Sequence, residues 1–65
     1  MNILVNAKQH NVSAATLAEA LTELGFTSPA IATAVNGSFV PRDTRSATAL
    51  KDGDRIEVLS PMQGG

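Results

Sequence analysis

Thr16-Leu17-Ala18-Glu19-Ala20-Leu21-Thr22-Glu23-Leu24-Gly25 is the stretch whose period decides the architecture of this 65-residue chain. Leu17, Ala20, Leu21 and Leu24 fall at i, i+3, i+4 and i+7, the single apolar stripe of an amphipathic helix. Thr16, with Glu19 three residues later, has the form of a capping box, in which each side chain satisfies an orphan backbone N–H of the first turn. Ser13 is an alternative cap, because Ala14 and Ala15 are good helix formers. Gly25 suits the left-handed residue that ends a helix, and Pro29 opposes an early restart. The leucines read as core, not as a cofactor-binding box.

On both sides of this helix the period falls to two. Upstream, Met1, Ile3 and Val5 point one way and Asn2, Leu4 and Asn6 the other, with branched residues favouring a strand. Asn6-Ala7-Lys8-Gln9 reads as a turn and His10-Asn11-Val12 as a short return strand. Downstream, Ile31 to Val35 reads as a buried strand that runs into Asn36-Gly37. That pair tolerates positive φ at both positions and so suits a type I′ hairpin turn. Ser38-Phe39-Val40 returns and is closed by Pro41, which has no N–H for a ladder. Arg42 to Leu50 is less regular, with one helical or 3-10 turn. Lys51 to Asp54 is a tight turn, and Arg55 to Leu59 is the last strand, with Ile56 and Val58 facing the helix. Leu59 falls on the opposite face or at the strand's end.

Strand, strand, helix, strand, strand, strand is an α+β order in which one helix covers one face of a small mixed sheet. A right-handed crossover brings the last strand in parallel beside the first. That arrangement is the β-grasp, the architecture of ubiquitin. Residues 1–59 are expected to form the domain. Residues 60–65, Ser60-Pro61-Met62-Gln63-Gly64-Gly65, are expected to leave it as a flexible tail.

Composition narrows the function. A single domain of this length buries only about 60% of its unfolded surface, which leaves little room for a deep cleft. A net charge of -1 argues against nucleic acid as the main partner. The absence of cysteine excludes disulfides, thiolate catalysis and cysteine-held metals. His10 is the one histidine, so a two-histidine metal site within the chain is excluded. The longest apolar run is far below a membrane span and Met1-Asn2-Ile3 lacks a signal-peptide core, so a cytoplasmic protein without a membrane partner is expected.

Individual residues divide between chemistry and structure. His10 has no partner that would make it a base, and it reads as a surface or packing residue. Asp52 and Asp54 around Gly53 read as turn formers before they read as a cation site. Arg42 is either a partner contact or a solvated side chain. Leu4 and Leu59, both turned from the helix, would be neighbours on adjacent strands and could start a docking patch. Single exposed apolar residues are also common.

Residue by residue, the chain resembles the ThiS family, the sulfur carriers of thiamin biosynthesis. The match includes the first strand ending at Asn6, Thr16-Leu17 opening the helix, Leu24-Gly25 closing it, and Ala34-Val35-Asn36-Gly37. It continues through Val40-Pro41-Arg42, Asp52-Gly53-Asp54-Arg55-Ile56-Glu57-Val58 and the final Gly64-Gly65. Two departures stand out: Ala7 and Lys8 replace a frequent Gly-Glu after the first-strand asparagine, and no tryptophan follows Pro41-Arg42.

The resemblance implies a protein co-substrate acted on by separate enzymes, not an enzyme, with no cofactor of its own. A ThiF-like adenylating enzyme would use ATP to activate the Gly65 carboxylate. A sulfur donor protein would then leave a terminal thiocarboxylate, and a ThiG-like thiazole synthase would receive the sulfur. Gly64, Gln63 and Met62 would provide access, since residues without Cβ fit narrow channels and take φ values closed to others. A thiocarboxylate needs no cysteine, and the Met62 thioether cannot carry transferable sulfide. The other readings are a carrier like MoaD of molybdopterin synthesis or one serving another acceptor, a ubiquitin-like modifier joined to lysines through Gly65, and a binding-only β-grasp domain.

Overall fold

The computed structural model describes residues 1–28 and 30–60. Five strands, β1 (Asn2–Val5), β2 (Lys8–Asn11), β3 (Ala32–Val35), β4 (Ser38–Val40) and β5 (Arg55–Leu59), form one sheet in the order β2-β1-β5-β3-β4. β1 and β5 run parallel at its centre, and the remaining pairs are antiparallel. A helix, α1 (Leu17–Glu23), covers one face, and a 3-10 helix spans Arg42–Ala47. This is the mixed sheet on one helix that the element order predicts.

The helix begins where Thr16 leaves extended geometry and its Oγ1 accepts the Glu19 N–H at 3.3 Å. The return arm of the box lands one residue early, on the Ala15 N–H at 3.0 Å. Ser13 is not the cap. Its N–H bonds the two Glu23 carboxylate oxygens, at 3.1 Å each, because Ala15 and Leu17 are already tied to Leu50 and Thr48 by backbone bonds of 2.9 Å. The helix end is a Schellman motif: the Phe26 N–H reaches the Leu21 carbonyl at 2.8 Å and the Gly25 N–H that of Thr22 at 3.1 Å. Gly25 sits at φ +88°, the left-handed value this motif needs.

The apolar stripe and the inward strand residues meet in one core. Leu17 is fully buried, Ile3, Ile56 and Val58 nearly so, and Val5, Ala20 and Leu21 complete the contact while Leu24 packs from the margin. Each large buried aliphatic contributes roughly 1.5–3 kcal/mol, so these few residues carry much of so small a domain's stability.

The first hairpin corrects the sequence reading. Asn6 and Ala7 alone form the turn, at φ +50° and +68°, and the return strand starts at Lys8 instead of His10. Val5 therefore pairs Lys8 and Ile3 pairs His10. The turn is as tight as the one at Asn36 and Gly37, at φ +52° and +86°. The absence of a glycine at position 7 hid it.

Candidate functional site

The site is built around the exit of β5. On one side β3 supports the strand to its end, with Thr33 opposite Val58 and Ala32 opposite Leu59. On the other side β1 pairs only as far as Val5 opposite Ile56, and the Asn6 N–H adds a bond of 2.9 Å to the Ile56 carbonyl. The Asn6 side chain then takes over: Nδ2 donates to the Val58 carbonyl at 3.0 Å, and Oδ1 accepts the Val58 N–H at 2.9 Å. The expected tail residues Met62, Gln63, Gly64 and Gly65 lie outside the described residues, which end at Ser60.

The face away from the helix carries the exposed apolar side chains. Leu59 is 68% exposed and Leu4 37%, both turned outward as the alternation requires. They are not neighbours, however. Leu4 lies opposite Arg55, four positions along β5 from Leu59, which lies opposite Ala32, so about 13 Å of strand separates them. The companion of Leu59 is Phe39, also 68% exposed. Ala32 and Ala34 floor a shallow apolar depression, walled by Phe39 and Leu59 and edged by Glu57. Short alanine side chains on the strand between two large residues leave that hollow. Sequence reasoning missed Phe39, although the signal was there: Val40 faces the core, so its neighbour must face out.

Arg42 lies elsewhere, exposed at the start of the 3-10 helix, on the rim of a groove with Ala18, Thr22 and Phe26. Arg45, which sequence reasoning also missed, is buried. Its Nε donates to Thr33 Oγ1 at 3.0 Å and its Nη2 to the Ile31 carbonyl at 2.7 Å, while that threonine hydroxyl donates to Val40 at 2.9 Å. The arginine thus joins the irregular segment to β3, a structural role.

The carboxylates flanking Gly53 are turn formers, as expected. Asp52 accepts the Asn2 N–H at 2.6 Å. Asp54 is buried, and accepts from Asn36 Nδ2 at 3.0 Å and from the Lys51 N–H at 2.8 Å. These two hydrogen bonds, the Asn36 one first, hold its carboxyl below the usual carboxylate range, against the opposing effect of burial. Among the described residues no three histidine, cysteine or acidic side chains converge as a metal site, and no helix is long and apolar enough to cross a membrane. His10 is half-buried opposite Ile3, a packing position.

A central last strand, clipped at its end and flanked by an apolar depression on an otherwise open face, defines a ubiquitin-like β-grasp domain. The model of the ThiS family matches residues 3–65, and the chain belongs to that family of ubiquitin-like sulfur carriers. The crystal structure of a thiamine biosynthesis protein (ThiS) from Geobacter metallireducens superposes with a TM-score of 0.82 at 35% identity, over 100% of both chains. The solution structure of a thiamine biosynthesis protein from the same organism gives 0.79 at 36% identity, over 100% of this chain and 88% of that one. A thiazole synthase of Paramagnetospirillum magneticum is 35% identical over 66 residues, covering 100% of this chain. The chain spans only 20% of that relative's length.

Proposed function

We propose that this chain is a sulfur carrier of thiamin biosynthesis that works through the carboxylate of Gly65. The observation that carries the reading is the family match, which runs through to residue 65 and so takes in Gly64-Gly65. In the reaction, a Gly65 carboxylate oxygen attacks the α-phosphorus of ATP on a ThiF-like enzyme. The α–β anhydride bond breaks and pyrophosphate leaves. Sulfur delivered by the donor protein at the hydrosulfide level then attacks the carbonyl carbon. The C–S bond forms as the C–O bond to AMP breaks, leaving a thiocarboxylate. The chain supplies a platform and a leash, and the partner enzymes supply the catalytic groups.

A ThiG-like thiazole synthase is the proposed acceptor. Support comes from the Paramagnetospirillum relative, in which a segment like this one makes up a fifth of a thiazole synthase. Modules that one organism joins are natural partners where they are separate. Leu59, with Phe39 beside it, is the proposed docking anchor. Leu4 and Arg42 are further contacts on separate parts of the surface, and Met62, Gln63 and Gly64 are the proposed access segment.

The test is intact mass after incubation with the adenylating enzyme, ATP and a sulfur source. An oxygen-to-sulfur exchange on the free chain is the expected result. Covalent adducts on other proteins would favour the modifier reading, and an unchanged mass would overturn the carrier reading.

A further inference from the structure

We propose that Asn6 is a positioning residue of the carrier: by closing its side-chain amide on the Val58 backbone, it fixes the point from which the chain beyond Leu59 departs. The inference rests on the carrier reading above and adds to it a residue 52 positions away from Val58 in sequence. β1 pairs β5 at Leu4 with Arg55 and Val5 with Ile56, and then turns away at Asn6. A longer parallel ladder would meet Val58 with another peptide group. The asparagine amide does so instead, since it presents an N–H donor and a carbonyl acceptor side by side, as that peptide group would. Both bonds are satisfied only in this orientation: donor to the Val58 carbonyl at 3.0 Å, acceptor to its N–H at 2.9 Å.

Asn6 is itself exposed, so its side chain does this without filling the core. Without it, support of β5 on the β1 side ends at Ile56 and the strand end hangs from β3 alone. Re-ordering a loosened strand end at every encounter costs roughly tenfold in an equilibrium for each residue fixed.

The test uses the full chain carrying Asn6→Gly or Asn6→Asp. Both replacements tolerate the positive φ of the turn. Glycine removes the amide, and aspartate sets a second oxygen against the Val58 carbonyl. Amide hydrogen exchange of Val58 and Leu59 should accelerate at least about tenfold, while Leu24 in the helix cap stays protected. ATP–pyrophosphate exchange with the adenylating enzyme should fall about 3- to 10-fold in kcat with KM unchanged, because the docking face is untouched.

Protected Val58 and Leu59 amides, or a wild-type kcat, would overturn the inference. Loss of fold in both variants would also overturn it, by making Asn6 a residue of general stability. A wild-type chain that supports no exchange would instead strike the carrier reading, and this inference would fall with it.

Discussion

The two ends of β5 are held by the same device with different amounts of backing. At the start, Asn36 donates its backbone N–H to the Arg55 carbonyl at 2.7 Å and accepts the Arg55 N–H on Oδ1 at 2.9 Å. Its Nδ2 reaches Asp54, whose other oxygen holds the Lys51 N–H. At the exit, Asn6 makes the matching backbone and side-chain bonds to Ile56 and Val58, but no carboxylate stands behind it. The second residue of the turn differs too, with Gly37 at φ +86° against Ala7 at +68°. The strand therefore starts from a charged, interlocked network, whereas on the β1 side its end is held by one neutral amide, carried by a turn whose second residue is an alanine at positive φ. In a carrier this asymmetry is useful: the platform is firm where it begins, and on the β1 side the exit is set by a single side chain.

The largest effect should ignore the asymmetry. Leu17 is fully buried in the core it shares with Ile56 and Val58 of β5, so Leu17→Ala should cost about 2–5 kcal/mol. Urea titration checks this, and the Arg55 and Val58 amides should lose protection together.

Asp54→Ala should act on the start alone, at about 1.5–3 kcal/mol, because hydrogen bonds to a charged acceptor are lost in a buried turn. Its pH dependence has a definite sign. The folded-state pKa is depressed, so the contribution is complete above the unfolded value of about 4. It declines as pH falls below that value and is gone once pH has passed through the folded pKa. Wild type should lose stability over this acid range, and Asp54→Ala should lose less.

The turns give a smaller, reciprocal pair. Ala7→Gly should stabilise by about 1 kcal/mol, since an L residue in the left-handed region carries a steric penalty of that order. Gly37→Ala should destabilise by a similar amount, although a Cβ there would meet no atom within 4 Å. Equal shifts of the same sign in a denaturation midpoint would contradict the comparison. Smallest on stability is Leu59→Asp, within about 0.5 kcal/mol because the side chain is 68% exposed. Calorimetry with the thiazole synthase should nonetheless show weaker binding, since a charge would be desolvated in the contact.

The elements with a strong period were legible in the sequence. The Leu17, Ala20 and Leu21 stripe, the Thr16 cap, the Gly25 stop and the Asn36-Gly37 turn all follow from local chemistry, and the structure contains them. The first turn was not legible in detail, because alanine gives no sign of a positive φ. Nor was Arg45: a charged residue in an irregular stretch reads as solvated, and only the tertiary approach of Thr33 and the Ile31 carbonyl buries it. The docking face was half legible. Alternation turned Leu4 and Leu59 outward, but only strand order and register pair Leu59 with Phe39 across the alanines of β3. The same holds for Asn6, whose partner lies at the far end of the chain.

The central claim is that Gly65 reacts through its carboxylate at one reach from the platform, and ATP–pyrophosphate exchange with the adenylating enzyme tests it most directly. Three chains are compared: wild type, one lacking Gly65, and one with an alanine added after it, with folding checked by circular dichroism. Removing Gly65 leaves a carboxylate on Gly64, one residue short, by up to about 3.5 Å of extended chain. Since a displacement of about 1 Å can cost on the order of 100-fold, exchange should be abolished. The added alanine overshoots and brings a methyl group into the channel, and it should fail as well. Exchange at the wild-type rate by both altered chains would mean that the position of the carboxylate is irrelevant, and would contradict the account.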